Sequence, residues 1–298
     1  MPPPPSDVSE TTTAALSEWP LPRASGGKHE RGTCLIIAGS ARTPGAALLA
    51  ATAVLRSEAG KVQVGTAQSV AAALGVALPE ALVVGLPEAP GGDIHPDAAA
   101  PLADQIAAAT AVLVGPGCMD AGLAAELVLA VARIMTQGIL IVDALPLEGL
   151  SGRAGDLAPL RDRMIFTPNV KEAAGLADLD PAEVDDEDLE ALATDLARRF
   201  GAVVAVKGEL TWIATPDGRR WCSAPSGPGL SVAGSGDVLA GIVAGLAARV
   251  EDPVQAAVFG VYAHAEAAGR VGRQRRGLGY LARELLVEIP PVLADVSA

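Results

Sequence analysis

Short apolar runs that alternate with longer helix-like runs constrain the fold of this chain most strongly. Strand-like runs occupy residues 33–38, 111–114 and 203–207, and helix-like runs such as 44–59 and 122–137 lie between or after them. An unbroken apolar strand is typical of a sheet that is buried on both faces. Repeated strand–helix units therefore predict a mainly parallel sheet with helices on both sides, and ligands of such sheets bind beyond the carboxyl ends of the strands.

The length and composition favour one large domain. The chain has 298 residues, of which 50% are hydrophobic, so it can bury a sizeable core. Only 3% of the residues are aromatic, and we therefore expect a core of Ala, Val, Leu and Ile. Residues 1–25 are rich in Pro, Ser and Thr. We predict that 1–25 is a flexible arm and that 26–298 forms a single domain.

Charge and cysteine content exclude several classes of protein. The net charge of -13 argues against nucleic-acid or anionic-membrane partners, which require basic patches. Cys34, Cys118 and Cys222 are widely spaced, which argues against a disulfide framework and against a zinc site. Residues 1–5 do not begin a signal peptide, and the apolar runs are too short to span a bilayer. We expect a cytoplasmic protein.

Polar and glycine residues follow several predicted strands. They are Gly39-Ser40, Gly115-Pro116-Gly117, Asp143, residues 167–172 and Lys207-Gly208. The carboxyl ends of parallel strands meet at one edge of a sheet, so these groups should lie together. This clustering indicates an enzyme.

The tetrapeptide Gly234-Ser235-Gly236-Asp237 opens an apolar helix-like run. Amides at a helix start lack partners within the helix and carry partial positive charge, and glycine lets an anion approach them closely. Asp237 in the first turn could accept a proton from a substrate hydroxyl. An ordinary cap formed by Ser235 or Asp237 explains the same residues equally well.

The stretch Lys207-Gly208-Glu209-Leu210-Thr211 follows the strand-like run 203–206. A lysine at the carboxyl end of a strand can meet a phosphate, although a surface lysine before a turn fits as well. The chain has neither a P-loop motif nor a dinucleotide-binding glycine motif after its first strand. A nucleotide would therefore bind at the glycine–helix site.

Asn169 and Glu172 also follow a predicted strand and share one face of a helical turn. Such a pair can hold hydrated Mg²⁺ or a phosphate. The same spacing fits a capping box, and the two roles are compatible. His264 lies in an Ala-rich helix-like run and is expected to be a core histidine.

The order of these motifs resembles that of the NAD(P)H-hydrate dehydratases, the carbohydrate-kinase-like domain of YjeF-type repair proteins. The resemblance extends from about residue 21 to residue 293. Its motifs are Leu21-Pro22-Arg23, Gly39-Ser40, Thr43-Pro44-Gly45-Ala46, Leu78-Pro79-Glu80-Ala81, Gly115-Pro116-Gly117, Asp143, Thr167-Pro168-Asn169 with Glu172, Lys207 to Thr211, Val232 to Gly241, and Tyr262-Ala263-His264. It implies a ribokinase-like three-layer α/β/α sandwich with a mainly parallel central sheet.

The resemblance also implies a reaction. The substrate is NADHX or NADPHX, a hydrated cofactor that carries a hydroxyl on carbon 6 of its reduced nicotinamide ring. Phosphorylation of this hydroxyl by ADP (or ATP) with Mg²⁺, followed by loss of phosphate, restores NADH or NADPH. Asp237 would take the hydroxyl proton, and the amides of Gly234, Ser235 and Gly236 would hold the phosphoryl group.

Further roles follow from the same resemblance. The adenine nucleotide would contact Lys207, Gly208, Glu209, Leu210, Thr211 and Gly236. The damaged cofactor would face Ala46, Gly117, Asn169, Glu172 and Asp237. No set of metal ligands is implied. A homotetramer is implied, together with a separate NAD(P)HX epimerase in the same pathway, since the chain is too short to contain both activities.

Three positions depart from the family pattern. Asn169 replaces the His of most bacterial members, Met119 replaces a glycine, and Leu145 replaces an aspartate. These departures leave two alternatives open: a ribokinase-like kinase of a small alcohol or vitamin precursor, and a non-catalytic nucleotide-binding paralogue.

Overall fold

The computed structural model describes residues 8–226, 230, 232–277 and 279–297. Within them the chain forms ten strands. These are β1 (Ser9–Glu10), β2 (Thr33–Ile37), β3 (Lys61–Ala67), β4 (Leu82–Leu86), β5 (Ala111–Val114), β6 (Ile139–Val142), β7 (Met164–Phe166), β8 (Val203–Lys207), β9 (Thr211–Ala214) and β10 (Arg220–Ser223).

Twelve α-helices accompany these strands in the same described residues. They are α1 (Thr13–Ser17), α2 (Pro44–Arg56), α3 (Gln68–Ala77), α4 (Ala103–Ala108), α5 (Ala121–Ile134), α6 (Pro146–Gly149), α7 (Val170–Ala177), α8 (Leu189–Phe200), α9 (Ser235–Val250), α10 (Pro253–Arg275), α11 (Ala282–Leu285) and α12 (Ile289–Ala294). None of the helices described is both long and apolar enough to cross a membrane.

All ten strands belong to one sheet, in the order β1-β10-β9-β8-β7-β6-β5-β2-β3-β4. Neighbouring strands pair in parallel across the part of the sheet that runs in the order β8-β7-β6-β5-β2-β3-β4. Strand β9 pairs antiparallel with both β8 and β10. One hydrophobic core lies between the sheet and α2, α9 and α10, and a second lies between the other face and α4, α5, α7 and α8. The predicted three-layer sandwich around a mainly parallel sheet is confirmed.

The strand order creates a switch point between β2 and β5. The chain runs from β2 outward to β3 and β4, and then returns to place β5 on the other side of β2. The loops after β2 and β5 therefore diverge and leave a crevice at the carboxyl edge of the sheet. Gly39 donates its amide to the carbonyl of Pro116 at 2.8 Å, so the two loops hold each other in place.

Helix α9 is buried on almost every side between α2 and α10. Two glycines permit this packing: a Cβ on Gly241 would lie 2.3 Å from the carbonyl oxygen of Ala50, and one on Gly245 would lie 2.8 Å from that of Val54. Because neither contact leaves room for a side chain, the glycines let α2 and α9 approach backbone to backbone. The start of α9 is thereby held firmly at the edge of the sheet.

The N-terminal segment differs from the flexible arm that its composition predicts. From residue 9 onward it packs on the domain: β1 extends the sheet beside β10. The ring of Trp19 lies 6.2 Å from that of Trp221 and 5.7 Å from that of Phe259. Leu21 is fully buried. Apolar contacts with residues distant in sequence outweigh the local preference for disorder, whereas residues 1–7 lie outside the described residues.

Replacement of Leu21 by Ala should lower the free energy of unfolding by about 3 kcal/mol, because it leaves a cavity in the core. Urea unfolding measures this loss. Leu179→Ala is the matched control, since Leu179 is 50% exposed and should change the same quantity by less than about 0.5 kcal/mol. Equal, small effects of the two substitutions would show that the segment is a loose arm after all.

Candidate active site

The start of α9 is not capped by a side chain, which leaves it open to an anion. Gly234 precedes the helix with a φ of 86°, and no side chain caps it, so the ordinary-cap interpretation is wrong. The amide of Ser235 donates to the carbonyl of Val232 at 3.0 Å. The amides of Gly234, Gly236 and Asp237 have no acceptor among the described residues, so of the three amides expected to hold a phosphoryl group only that of Ser235 is already occupied. These three amides are therefore the donors available to an anion, together with the positive end of the helix dipole.

Lys207 lies opposite this helix start. A Cβ on Gly236 would lie 3.7 Å from its Nζ, so the ammonium faces the free amides across a short gap. Lys207 donates to Oδ1 of Asp143 at 2.9 Å, and Thr167 donates to the same oxygen at 2.7 Å. Asp143 is buried, and Lys207 is largely so. The surface-lysine alternative is therefore wrong, and the ion pair fixes a cation beside the anion site.

The electrostatics of this cluster bear directly on Asp237. Burial and the nearby charge of Asp143 raise the pKa of the Asp237 carboxyl to about 7, against the opposing influence of Lys207. Burial alone would lower the pKa of Lys207, but the three surrounding carboxylates outweigh it and raise that pKa. The cluster thus holds a permanent cation next to a carboxyl that changes charge near neutral pH. A group with such a pKa is suited to general base chemistry.

Asn169 and Glu172 form the expected capping box at the start of α7. Oδ1 of Asn169 accepts from the amide of Glu172 at 2.9 Å, and Oε2 of Glu172 accepts from the amide of Asn169 at 2.8 Å. A bridge between Asn169 and Lys207 extends the β7–β8 pairing beyond the strands. The cap therefore also fixes the position of Asn169 beside the cation, and burial raises the pKa of Glu172.

A cavity of about 290 Å³ opens between the ends of β7 and β8 and the start of α9. Its polar wall contains most of the residues that sequence reasoning assigned to the nucleotide: Lys207, Gly208, Glu209, Thr211 and Gly236, with Asn169 and Ser235. Its other wall is apolar and consists of Leu230, Val232, Leu239, Val261 and Ala265. Leu210 is exposed in the β8–β9 turn and does not line this cavity. One polar and one apolar wall suit a nucleotide, which has a phosphate end and a base.

His264 was expected to be an ordinary core residue, but it also lines this cavity. Its Nε2 lies 3.1 Å from Oγ of Ser235, and both residues are buried. Burial, followed by the charge of Lys207, lowers the pKa of His264 to about 4, so the ring is neutral at pH 7. The histidine therefore orients the Ser235 hydroxyl at the cavity wall.

Ala46 and Gly117 lie together in the switch-point crevice. A Cβ on Gly117 would be 2.9 Å from Cβ of Ala46, and Gly117 has a φ of 75°. Its carbonyl accepts from the Thr43 hydroxyl at 2.6 Å. Neither residue lines the nucleotide cavity. The residues that sequence reasoning placed around the substrate therefore fall into two groups, with Asn169 on the nucleotide side.

Met119 and Leu145 are two of the three residues that depart from the pattern of the resembled family. Met119 is 46% exposed, and its amide donates to the carboxylate of Asp93, with its shorter contact at 2.9 Å. It is not among the described residues with positive φ, so this backbone does not require glycine there. Leu145 is half-buried just before α6.

Sequence reasoning did not assign a site role to Asp143, although the signal was visible as an acid at the end of an apolar run. The apolar wall of the nucleotide cavity carried no such signal. Leu239 and Val261 are ordinary helix residues in the sequence, and only the packing of α9 beside α10 turns them toward one cavity. The described residues contain no group of three or more His, Cys, Asp or Glu side chains that could hold a metal ion.

Replacement of Asp237 by Asn should stabilise the fold at alkaline pH. The folded-state pKa of about 7 exceeds the ordinary 3.8, so the wild type loses stability relative to the variant as pH rises between these values. We expect Asp237→Asn to raise the free energy of unfolding by about 2 to 4 kcal/mol at pH 8 and by less at pH 5. Urea unfolding at both pH values measures this, with the exposed Asp195→Asn as control. Equal gains at both pH values would contradict the raised pKa.

Comparison with known proteins agrees with this geometry. A family model described as NAD(P)H-hydrate dehydratase, of the carbohydrate kinase type, matches residues 34–291. The ADP-dependent (S)-NAD(P)H-hydrate dehydratase of Xanthomonas campestris is 41% identical over 288 residues, which cover 96% of each chain. The bifunctional NAD(P)H-hydrate repair enzyme of Moorella thermoacetica is 36% identical over 290 residues, and the match covers 96% of this chain but 54% of that enzyme.

Solved structures have the same architecture. The ADP/ATP-dependent NAD(P)H-hydrate dehydratase of Bacillus subtilis, co-crystallised with ATP and Mg²⁺, superposes with a TM-score of 0.77 and 26% identity, covering 98% of this chain and 100% of that one. A ribokinase-like superfamily protein of Enterococcus faecalis has a TM-score of 0.80 at 22% identity, covers 97% and 96%, and confirms the ribokinase-like fold. Since the family model spans most of the chain, this protein belongs to the NAD(P)H-hydrate dehydratase family.

Proposed function

We propose that this protein is an ADP-dependent NAD(P)H-hydrate dehydratase that converts NADHX and NADPHX into NADH and NADPH. The observation that carries the proposal is the position of Asp237. Its carboxyl, with a pKa of about 7, lies at a helix start whose free amides face Lys207. A base, a phosphate cradle and a cation thus meet at one point.

The first step is phosphoryl transfer. Asp237 accepts the proton of the substrate hydroxyl, and the hydroxyl oxygen attacks the β-phosphorus of ADP, so that AMP leaves. The amides of Gly236 and Asp237 and the Ser235 hydroxyl donate to the oxygens of the transferring group, while Lys207 offsets its negative charge. Asp143 keeps the ammonium in place during the transfer, because it binds Lys207 at 2.9 Å.

The second step is elimination. The ring nitrogen supplies the electron pair that breaks the bond between carbon 6 and oxygen, and phosphate leaves. Loss of a proton from the neighbouring ring carbon restores the double bond of the dihydronicotinamide. The sum is NADHX and ADP giving NADH, AMP, phosphate and a proton. The anion site at α9 that held the phosphoryl group then stabilises the leaving phosphate.

The nucleotide occupies the cavity of about 290 Å³. Its phosphates lie toward Lys207, Gly208 and Gly236, and its base lies against Leu239 and Val261. Mg²⁺ usually binds through substrate phosphates and one or two carboxylates, which agrees with the lack of a dedicated metal cage in the described residues. Glu209 lines the cavity and Glu172 lies near the charge of Lys207, so these two carboxylates would be available to Mg²⁺, which would neutralise charge on the phosphates.

Further properties belong to the same proposal. The resemblance supports a homotetramer that works in the cytoplasm beside a separate NAD(P)HX epimerase. This chain spans about half the length of the bifunctional repair enzyme. The name of that relative supports a second repair activity that works beside this chain. The net charge of -13 supports a protein that binds neither nucleic acids nor anionic membranes.

A direct assay tests the activity. The protein, NADHX, Mg²⁺ and either ADP or ATP are mixed, and the recovery of absorbance at 340 nm is followed. We expect recovery with ADP and stoichiometric AMP and phosphate. Failure with both nucleotides would overturn the proposal. A phosphorylated alcohol that accumulates without elimination would instead identify a kinase.

Asp237 should act only when deprotonated, so kcat/KM should rise with pH up to about 7 and then level off. Asp237→Asn should lower kcat by about 100-fold to 10,000-fold and remove this rise, while ADP binding persists. Rates between pH 5.5 and 8.5 and calorimetric titration with ADP measure the two effects. Full activity of the variant would refute the role of the base.

Ser235 and His264 should act as one unit. When Nε2 of the neutral histidine carries its proton, it donates to the serine oxygen and directs the serine hydroxyl proton toward the phosphoryl group. Either Ser235→Ala or His264→Ala should lower kcat/KM by about tenfold to 100-fold. The double variant should be no worse than the more impaired single variant, and His264→Gln should retain part of the activity. If the two losses in kcat/KM multiply in the double variant, the two residues act independently and the prediction is wrong.

A further inference from the structure

A second concavity adjoins the active site on the side away from the nucleotide cavity. This α2–α11 groove has a volume of about 510 Å³. One wall comes from α2, with Leu48, Leu49 and Thr52, and the other from the α11 region, with Leu281, Ala282 and Arg283. Gly45 and Ala233 also line it and directly precede Ala46 and Gly234 of the site. The groove is therefore continuous with the substrate side of the active site.

The glycine turn before α9 separates the groove from the nucleotide cavity. A Cβ on Gly234 would lie 2.7 Å from Cδ1 of Leu49 and 3.8 Å from Oδ2 of Asp237. The corresponding position on Gly236 faces Nζ of Lys207 at 3.7 Å. The groove thus begins within a few ångströms of the Asp237 carboxylate, while the nucleotide cavity begins on the opposite side of the same turn.

Arg283 gives the groove its charge. It is the single charged residue among those that line the groove, its side chain is exposed, and no described residue forms a hydrogen bond or an ion pair with it. The neighbouring Glu284 is occupied, because it accepts from Arg275 and from the amide of Leu281. Arg283 interacts with Glu284 through its charge alone, so its hydrogen-bond donors remain available. An exposed guanidinium above an apolar floor suits a ligand that combines a phosphate with a flat, weakly polar ring.

The substrate has a part of this kind. Its nicotinamide ring reacts at Asp237, so its pyrophosphate and adenosine must lie outside the reacting centre, and the proposed function assigns the nucleotide cavity to ADP. We propose that the α2–α11 groove binds the adenosine-bearing half of NADHX and NADPHX, with Arg283 on one of its phosphates. This inference rests on the proposed function and names the specificity site for the dinucleotide.

A truncated substrate tests the proposal. Hydrated reduced nicotinamide mononucleotide keeps the reacting ring but lacks the adenosine half. Arg283→Gln should raise the KM for NADHX about tenfold and the KM for the mononucleotide less than twofold, with the KM for ADP unchanged. A larger loss with NADPHX than with NADHX would place Arg283 on the 2′-phosphate, and equal losses would place it on the pyrophosphate. Arg133→Gln, on the opposite face of the sheet, is the charge-matched control and should change none of these values.

Binding of the product gives a readout that does not depend on turnover. The affinity for NADPH, measured by fluorescence titration, should be lowered by Arg283→Gln and unchanged by Arg133→Gln. Equal KM changes for NADHX and the hydrated mononucleotide, or no change for either, would overturn the groove assignment, while wild-type turnover would leave the proposed function intact. A loss of oligomer mass in Arg283→Gln on sedimentation, with NADHX and the hydrated mononucleotide equally affected, would assign the groove to a second copy of the chain and overturn the proposal. An inactive wild type that still binds NADPH through Arg283 would refute the activity alone.

Discussion

The close packing of α9 against α2 is the constraint on which the rest of the structure depends. Gly241 and Gly245 let the two helix backbones approach to a distance that excludes any side chain. This contact buries α9 between α2 and α10, so the unpaired amides at its start are held at the carboxyl edge of the sheet. A helix start held by packing over its whole length is a preorganised anion site, since it does not reorganise when charge develops.

Burial also explains the chemistry of the acidic and basic groups. Asp237 is kept in a partly desolvated site next to Asp143, which raises its pKa to about 7 and costs the folded state about 2 to 4 kcal/mol at alkaline pH. The extensive apolar burial of α9 offsets such a cost, because each buried Leu or Ile contributes about 1.5 to 3 kcal/mol. Lys207 stays charged in the same surroundings because three carboxylates surround it. The ion pair with Asp143 therefore serves the placement of charge more than stability.

The glycine turn gives the site two sides. Gly236 faces Lys207 and the nucleotide cavity, and Gly234 faces Leu49 and the groove. In the proposed reaction a phosphoryl group at the free amides would lie between the two sides, which is the arrangement that transfer from one bound molecule to another requires. The departures from the family pattern at Met119 and Leu145 lie outside the residues that line the nucleotide cavity, and Asn169 is held by its cap.

The sequence by itself determined the strand–helix alternation, the parallel sheet and the edge at which polar residues gather, because the period and length of apolar runs depend on local geometry. It also located a candidate anion site at residues 234–237, but it left open whether Ser235 or Asp237 simply caps the helix. Only the tertiary structure decided that neither does, that Lys207 pairs with Asp143 across 64 positions, and that His264 reaches Ser235. It likewise decided that the segment after residue 8 packs on the domain, through the Trp19, Trp221 and Phe259 rings. The physical reason is the same in each case: burial and charge depend on neighbours that are distant along the chain, and no local pattern encodes them.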